Sequence, residues 1–404
     1  MKISQLKIKL RLFYTIFILS PKDWQFPKKA EILIFDATNI NALMPYLKNY
    51  NFTVMPLRGE IINIPCLLYS FLEFSFWKGD PLNAYISAYI KKVKPRVIIT
   101  LIDNYKRFYS ISKRFSNLKT ISIQNGLRGK SGDIFDGLIR SDNYHVDYML
   151  VANKAIGKHY LKYLTGKAIP IGSLNNNTVY KSTPVKSDDI LFISQLHEKP
   201  KNNNPLYIER DGRLISWEVF FAIEIKVIKL LVDWCIKNNK KLKICGRGKD
   251  ENGHEQNFYS NYLNQTKCDW EYIPRKNYYS SYTLIDKSQI IVSIDSTLGY
   301  ESLARGKRTA FFSCRGEYLN TTSLRFGWPL KLPNKGPIWI SNQDELGFQL
   351  PKIMNYLNAI SDNEWTKVCQ NYKNLVMEFD PSNTQFVKLL NQLLPKKEIK
   401  NYVN

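Results

Sequence analysis

The sequence has few histidines, no closely paired cysteines and no long apolar run. Only four histidines occur among 404 residues, and none of the six cysteines belongs to a C-x-x-C pair. The common zinc-site spacings are therefore excluded, and we expect buried free thiols in a reducing compartment. The apolar run near the N-terminus, Leu12–Leu19, is too short to span a bilayer.

Three motifs of metal and nucleotide chemistry are also missing. No D-x-D motif lies in a loop, and Asp188-Asp189, which precedes a strand, is interpreted as a polar turn. No Walker A motif occurs, and no G-x-G-x-x-G follows the first predicted strand. We therefore expect neither a metal ion nor a dinucleotide cofactor.

Acidic residues are scarce relative to basic ones. The chain holds 58 Lys and Arg against 35 Asp and Glu, which gives a formal net charge of +23. This excess is compatible with nucleic acid, an anionic membrane surface or a phosphorylated substrate. The lysines are scattered and no nucleic-acid-binding motif occurs, so specific nucleic-acid binding is not expected.

Short apolar runs alternate with helical patterns along most of the chain. This alternation predicts parallel sheets with helices on both faces, and the length suits two domains. The predicted fold class is α/β, with two doubly wound, Rossmann-like domains facing a cleft. We place the first domain at residues 26–180, the second at 188–345 and C-terminal helices at 346–404.

Residues 1–25 form a basic, aromatic-rich segment. Lys2, Lys7, Lys9 and Arg11 precede its apolar run, as in a signal peptide, but no A-x-A-like cleavage site follows. The segment is compatible with an amphipathic helix on a membrane surface and equally with a first helix packed on the domain.

The most informative stretch of the chain is Ile290–Phe312. A buried strand is predicted to end at Asp295-Ser296-Thr297, and a short helix with Glu301 follows. Hydroxyl residues at a helix start build an anion site, because free N–H groups and the positive helix end point at the ligand. A carboxylate one turn later can accept two ribose hydroxyls. The alternative is an ordinary helix N-cap at Ser296 or Thr297.

Two more predicted strand ends in the second domain carry polar residues. Gly246 lets the backbone approach a phosphate that Arg247 can bind in bidentate fashion, unless this is a flexible turn. Arg275 ends the next strand, shortly before Tyr282, which can stack on a base or simply pack its helix onto the sheet. A histidine after the domain's first strand, His197, can bind phosphate or act as a base, or be solvated.

The first domain offers candidates for the acceptor side. Asp36 and Asp103 each end a predicted strand and can take a proton from a hydroxyl, although each can instead be a helix cap. We select Asp103 as the catalytic base. A third strand ends in sugar-binding candidates, namely Gln124, Asn125, Gly126 and Arg128.

These motifs resemble those of bacterial surface-carbohydrate biosynthesis proteins of the capsule and O-antigen type. The resemblance covers about residues 30–345, and its most specific piece is Asp295-Ser296-Thr297-Leu298-Gly299-Tyr300-Glu301. The other pieces that carry it are Ile121–Gly126 with Arg128, Gly246-Arg247, Ser281-Tyr282 with Ile285-Asp286, and Phe326-Gly327-Trp328-Pro329. More loosely, the stretch is similar to that of capsule transferases that use CMP-activated donors.

The resemblance implies a GT-B glycosyltransferase that moves a sugar from a nucleotide-activated donor, CMP-linked sugars included, to a glycan or lipid-linked glycan. Ser296 and Thr297 would hold donor phosphate, and Glu301 a hydroxyl. We expect a metal-independent enzyme without a cofactor, in the cytoplasm or on the inner face of the membrane. A polyol-phosphate transferase, a nucleotide-sugar epimerase and a non-catalytic polyanion-binding scaffold remain alternatives on the same fold.

Overall fold

The chain folds around two parallel sheets. The computed structural model describes residues 20–57, 60–126, 128, 135, 144–180, 187–200, 204–208, 212–277, 279–319 and 332–395. The first sheet has six parallel strands in the order β2-β1-β3-β4-β5-β6. They are β1 (Ile32–Phe35), β2 (Phe52–Met55), β3 (Val97–Thr100), β4 (Lys119–Ile123), β5 (His145–Val151) and β6 (Thr165–Pro170).

The second sheet has seven strands in the order β9-β8-β7-β10-β11-β13-β12, of which only the edge strand β12 is antiparallel. Its strands are β7 (Ile190–Ile193), β8 (Leu242–Cys245), β9 (Trp270–Ile273), β10 (Ile290–Ser293), β11 (Arg308–Phe312), β12 (Lys335–Gly336) and β13 (Trp339–Ile340). The central strands β7 and β10 are buried along their whole length, as continuous apolar runs predict.

Ten helices of at least seven residues lie in the described part of the chain. They are α1 (Ile64–Ser70), α2 (Pro81–Val93), α3 (Lys154–Tyr160), α4 (Trp217–Lys237), α5 (His254–Leu263), α6 (Ser280–Lys287), α7 (Thr297–Ala304), α8 (Leu346–Ala359), α9 (Asp362–Lys373) and α10 (Thr384–Leu393). Shorter helical turns lie at Ile40–Ala42, Met44–Leu47, Phe74–Trp77, Lys106–Ser110, Ile111–Arg114, Leu174–Thr178, Arg315–Tyr318 and Pro381–Asn383.

Two of the long helices begin where the sequence places their caps. The Ser216 hydroxyl accepts a hydrogen bond from the Val219 N–H at the start of α4, and Asp80 caps α2 in the same way. Both helices then bury an apolar face against a sheet. Local capping and amphipathic spacing therefore account for their bounds.

The last helix returns to the first domain. Phe386, Leu389 and Leu390 of α10 pack against Ile32 and Ile34 of β1. Before it, the Glu378 N–H donates a 2.8 Å hydrogen bond to the Ala152 carbonyl. α10 therefore packs on the first domain, whereas α8 packs on β11 of the second, and the amphipathic pattern of the tail does not indicate this division.

Several elements differ from their predicted form. The pattern of residues 105–115 predicts one helix, whereas two short turns, Lys106–Ser110 and Ile111–Arg114, occur there. The helix α5 has no counterpart among the predicted elements. The polar composition of residues 175–189, with Pro184, predicts a domain linker. Its start belongs to the helical turn Leu174–Thr178, and the Arg305 guanidinium donates to the Val179 carbonyl at 3.0 Å. Residues 196–215, rich in Lys, Asn and Pro, predict a long loop, but a small hairpin, Tyr207–Ile208 with Leu214–Ile215, lies within this stretch.

The predicted N-terminal segment falls mostly outside the described residues, as does the Phe326-Gly327-Trp328-Pro329 motif. The part of the N-terminal segment that the structure describes includes a short strand, Lys22–Asp23, paired in parallel with Ile62–Asn63. Within the described ranges, no helix combines the length and the apolar character needed to cross a bilayer.

Candidate active site

The carboxyl ends of both sheets meet at one interdomain cleft of about 380 Å³. Ligands of doubly wound sheets bind at this edge. The first domain contributes Gln124, Asn125, Gly126 and Ser173 among others. The second domain contributes Gly246, Arg247, Arg275, Tyr282, Ser296, Thr297 and Glu301. Most of the predicted site residues are therefore brought together, whereas Asp103, Arg128 and Asp295 do not line the cleft.

The start of α7 forms one wall of this cleft. The Ser296 hydroxyl accepts a 3.3 Å hydrogen bond from the Leu298 N–H, so the N-cap interpretation of this residue is correct. Ser296 and Thr297 also line the cleft, so the cap and an anion site are not exclusive. A β-carbon on Gly126 of the opposite domain would lie 3.7 Å from Thr297 Oγ1. The two domains therefore come close together at this point.

A glycine allows α7 to lie directly on the sheet. A β-carbon added to Gly299 would lie 2.4 Å from Ser293 Cβ and 3.3 Å from the Phe311 ring. Such a distance is far below van der Waals contact. Gly299 therefore fixes the height of α7 above β10, and with it the position of Ser296 at the cleft.

Glu301 is a buried carboxyl group on the cleft wall. Its Oε2 accepts a 2.9 Å hydrogen bond from the Tyr282 hydroxyl, and its pKa rises to about 7 because burial disfavours the charged form. Hydrogen bonds from Ser173 and Tyr282 and the positive charge of Arg305 oppose this rise. Glu301 is thus a hydroxyl-binding group that ionises near neutral pH.

Arg247 places a cation where the cleft opens. Its backbone N–H donates to Glu255 at 3.1 Å, while its exposed guanidinium makes no hydrogen bond to any described residue. A β-carbon on the preceding Gly246 would lie 2.5 Å from the Tyr272 hydroxyl, so only glycine fits there. The local backbone is therefore fixed, and the guanidinium can still bind an anion.

A second-domain cavity of about 410 Å³ extends the cleft past Arg247 and Arg275. His197 lines it, and its pKa is lowered by burial and by the charges of Arg247 and Arg315. His197 is therefore neutral at neutral pH and half-buried, rather than a solvated loop residue. In this state one ring nitrogen can accept a hydrogen bond.

The choice of Asp103 as the catalytic base is not supported by its surroundings. Its side chain is fully buried, and Oδ2 accepts hydrogen bonds from Arg128 Nε at 2.9 Å and from the Tyr160 hydroxyl at 2.6 Å. Arg128 Nη2 binds the other oxygen. A carboxylate enclosed in this way cannot reach an acceptor hydroxyl, so Asp103 and Arg128 form a structural ion pair.

The remaining first-domain residues of the prediction shape the loop after β4. Gln124 donates to the Gly126 carbonyl at 2.8 Å and accepts from the Ala152 N–H at 2.9 Å, so its side chain braces the loop. Gly126 has φ of 72°, which favours glycine. Asn125 accepts a 3.3 Å hydrogen bond from Asn39 and lines the cleft.

Asp295 lies beneath the cleft rather than in it. Its Oδ2 accepts a 2.8 Å hydrogen bond from Arg315 Nε, and Arg315 Nη2 lies 3.5 Å from Oε2 of the buried Glu224. Tyr259 also donates to Glu224 at 2.9 Å. Sequence reasoning missed this network, although Glu224 lies among core-facing positions of α4, where a carboxylate requires a buried partner.

A first-domain cavity of about 320 Å³ lies beyond the carboxyl ends of β1 and β3. Asp36, Asn104 and Tyr105 line it, together with Phe35, Leu57 and Ile102. Asp36 adopts φ of 79°, a left-handed conformation that is uncommon for aspartate. Its Oδ1 accepts a 2.8 Å hydrogen bond from the Thr38 N–H, which fixes the carboxylate beside the cavity.

No group of three or more histidine, cysteine and acidic side chains within the described ranges is arranged to hold a metal ion.

Comparison with known proteins places the chain in a family. The family described as "putative O-antigen biosynthesis protein" matches residues 121–394, about two-thirds of the chain. The chain belongs to this O-antigen biosynthesis family. The match includes the α7 region, Arg247 and the loop after β4. No curated protein is detectably similar to the sequence.

Solved structures similar to this O-antigen family member share little sequence with it. A "putative UDP-N-acetylglucosamine 2-epimerase" from Listeria monocytogenes superposes with a TM-score of 0.50 at 10% identity, over 91% of this chain and 98% of its own. The wall teichoic acid polymerase TagF has a TM-score of 0.48 at 10% identity, over 91% and 89% of the two chains. TarM has a TM-score of 0.43 at 14% identity, over 78% and 58%.

The fold prediction is confirmed. Two doubly wound domains face a cleft in the GT-B arrangement, and the epimerase structure shares this fold. At such low identity the likeness concerns the fold alone.

Proposed function

We propose that this O-antigen family member is a metal-independent glycosyltransferase, which moves a sugar from a nucleotide-activated donor to a surface-glycan acceptor. The observation that carries the proposal is the composition of the interdomain cleft. A capped helix start, an arginine without a described hydrogen-bond partner and a buried carboxyl group converge there from separate strand ends. Each suits one part of a nucleotide sugar.

The donor would bind on the second-domain side. The N-terminus of α7, with Ser296 and Thr297, offers N–H and hydroxyl donors to phosphate, and Arg247 and Arg275 neutralise its charge. Glu301, oriented by Tyr282, accepts hydroxyls of the ribose or sugar. These assignments match those drawn from the sequence.

The acceptor would bind on the first-domain side, near Asn125 and the first-domain cavity. Asp36 replaces Asp103 as the base, because Asp36 lines a cavity whereas Asp103 is enclosed. The Asp36 carboxylate would take the proton of an acceptor hydroxyl while the oxygen of that hydroxyl forms a bond to the anomeric carbon of the donor sugar. The bond from that carbon to the donor phosphate oxygen breaks, and Arg247 and α7 stabilise the released negative charge.

The expected acceptor is a glycan or a lipid-linked glycan, so we also propose a peripheral location on the cytoplasmic membrane face. Residues 1–19 carry four basic residues and no acidic one. Deleting Met1–Ser20 should shift the protein from membrane to soluble fractions. Unchanged fractionation would exclude an anchoring role for this segment.

Product analysis tests the proposed reaction. Purified protein is incubated with nucleotide sugars, with and without glycan acceptors, and the products are separated by mass. A transferase extends the acceptor and releases the nucleotide, whereas an epimerase forms a sugar isomer without any acceptor. Binding that falls steeply with salt, without nucleotide affinity, would instead indicate a polyanion-binding scaffold.

Two substitutions locate the reaction in the cleft. We expect Ser296→Ala and Glu301→Ala each to weaken donor binding by about tenfold or more, since each removes a hydrogen bond to a charged or buried group. If both variants bind the donor as the parent does, the proposed donor site is wrong.

A further inference from the structure

An exposed aromatic patch lies on the first domain, away from the proposed donor site. We define the aromatic patch as Trp24, Leu68, Leu72, Phe74 and Trp77, whose exposed fractions are 73%, 61%, 77%, 71% and 71%. Single exposed apolar side chains need no explanation. Four of this size within residues 68–77, with Trp24 as a fifth, are typical of a surface that contacts a partner.

The patch is held in a fixed arrangement. The strand Lys22–Asp23, which precedes Trp24, pairs with Ile62–Asn63 at the start of α1. The Trp77 indole N–H donates a 2.7 Å hydrogen bond to the Phe71 carbonyl, and the Phe76 and Trp77 ring centroids lie 5.4 Å apart. The two segments that carry the patch are thus tied together by backbone pairing and ring packing.

Lysines are interleaved with these rings. Lys78 Nζ lies 4.5 Å from the Phe74 ring centroid, and Lys92 Nζ lies 3.8 Å from that of Tyr69. The nearby carboxylates of Glu73 and Asp80 are paired with Lys91 at 2.7 Å and with Arg107 at 2.9 Å. The patch therefore presents apolar rings and positive charge together. Two neighbouring acids are ion-paired, and a third, Asp23 beside Trp24, accepts hydrogen bonds from the Gln25 N–H and the Asn63 amide.

The chain before the patch adds positive charge of the same kind. Residues 1–22 contain five lysines and arginines and no acidic residue. This segment joins the fold at the strand Lys22–Asp23, beside Trp24. Aromatic rings with interleaved lysines match the boundary between the acyl chains and the anionic head groups of a bilayer.

We propose that the aromatic patch docks on an anionic phospholipid bilayer. Trp24 and Trp77 would lie at head-group depth, with Leu72 and Phe74 inserted toward the acyl chains and the lysines facing lipid phosphates. A second copy of the chain is the less fitting occupant, since two such faces would bring their lysines together.

Docking of the patch on a bilayer would bring the first domain close to a membrane-bound acceptor. Apart from Trp24, the patch lies between the end of β2 and the start of α2, in a segment that runs alongside α2, since Glu73 binds Lys91 in the last turn of that helix. Arg107, which follows β3, binds Asp80 just before α2. The end of the patch at Trp77 therefore lies near the sheet edge that carries the first-domain cavity, where a bilayer would deliver a lipid-linked acceptor. This consequence rests on the proposed function, but the lipid binding does not.

Vesicle sedimentation of the full chain tests the proposal. We expect binding to vesicles that contain phosphatidylglycerol and weaker binding to phosphatidylcholine alone. The double variant Leu72→Glu with Phe74→Glu should reduce the bound fraction on anionic vesicles by about tenfold or more, since two insertions are lost and two negative charges are added.

A matched double variant controls for the added charge. Leu214→Glu with Phe348→Glu alters side chains that are 66% and 63% exposed in the second domain and in the C-terminal helix α8, and it should bind vesicles as the parent does. Equal losses in both double variants would show a nonspecific charge effect and overturn the proposal. All four positions are exposed, so thermal midpoints should stay unchanged.

Two other outcomes would also overturn it. Vesicle binding that survives the patch substitutions but is lost on deleting residues 1–19 would assign the anchor to that segment alone. A change from dimer to monomer by light scattering, with vesicle binding intact, would assign the patch to self-association. Nucleotide binding by the patch variant is measured in parallel. If it is normal while vesicle binding does not respond to the substitutions, the lipid-docking proposal fails and the proposed function stands.

Discussion

The Tyr282 hydroxyl donates a 2.9 Å hydrogen bond to Oε2 of Glu301, and so joins α6 to α7 at the wall of the interdomain cleft. The carboxyl group is buried, which raises its pKa to about 7. A group that binds hydroxyls and ionises near neutral pH makes the site sensitive to pH in a defined direction.

Replacing Glu301 by glutamine should change how stability depends on pH. Between about pH 4.5 and 7 the folded state holds a proton on Glu301 that the unfolded state releases. This proton stabilises the parent fully below about pH 4.5, and the contribution is lost as pH rises to 7. Between these pH values the free energy of unfolding of the parent should fall by up to about 3 kcal/mol relative to that of Glu301→Gln.

Denaturant titrations of both proteins at pH 5 and pH 8 measure this difference. Tyr282→Phe, which removes only the hydrogen bond, is the control and should keep the pH dependence. A difference between parent and Glu301→Gln that is the same at both pH values would show that Glu301 does not titrate in this window.

Arg247→Ala should weaken nucleotide binding without affecting the fold. Its guanidinium is exposed, lines both the cleft and the second-domain cavity, and makes no hydrogen bond to a described residue. Loss of a charge-assisted hydrogen bond to phosphate should raise the Kd of a nucleotide by about tenfold or more. Isothermal titration calorimetry measures this change.

Lys249→Ala is the matched control for charge. Lys249 is exposed two residues away and lines neither cavity. If both variants weaken binding equally, general electrostatic attraction rather than a specific contact explains the effect.

Asp103→Asn should destabilise the protein and leave donor binding intact. Removing the charge leaves Arg128, whose side chain is 15% exposed, without its carboxylate partner. Breaking a buried pair costs about 3 kcal/mol or more, which a denaturant titration resolves.

Asp36→Asn should have the opposite effect to Asp103→Asn, with stability kept and transfer activity lost. Asparagine tolerates the left-handed backbone and can still accept from the Thr38 N–H, so the fold should persist while transfer activity is lost. Normal transfer by this variant would exclude Asp36 as the base.

Gly299→Ala should weaken nucleotide binding by displacing α7, which forms one wall of the cleft. The new methyl group would meet Ser293 and Phe311, so α7 must shift or β10 must yield. Overpacking of this kind costs about 1–3 kcal/mol. We expect a lower thermal midpoint together with weaker nucleotide binding. Gly347→Ala, where no atom lies within 4 Å of the added carbon, should leave both measurements unchanged.

Much of the fold could be predicted because its signals are local. Continuous apolar runs gave the buried strands, and the hydroxyl residues Ser216 and Ser296 mark the starts of α4 and α7, where their side chains cap the helices. Polar residues after parallel strands meet at one sheet edge by geometry, which explains why Arg247, Ser296 and Glu301 were placed together.

What the sequence could not reveal depends on distant partners. Asp103 follows a strand just as a site residue would, and only Arg128 and Tyr160, 25 and 57 positions away, make it structural. The pattern of α10 shows an apolar face but not that this face packs on the first domain. The second-domain network around Arg315 likewise joins residues from three separate elements.

The most direct test of the central claim is a thermal-shift panel of CMP, CDP, UDP, GDP and their sugar conjugates, with and without Mg²⁺. A ligand that binds only the folded state raises the midpoint by mass action. We expect at least one nucleotide to raise the midpoint independently of Mg²⁺, and Glu301→Ala and Arg247→Ala to diminish the shift. No shift with any nucleotide, or a shift that both variants retain in full, would contradict it.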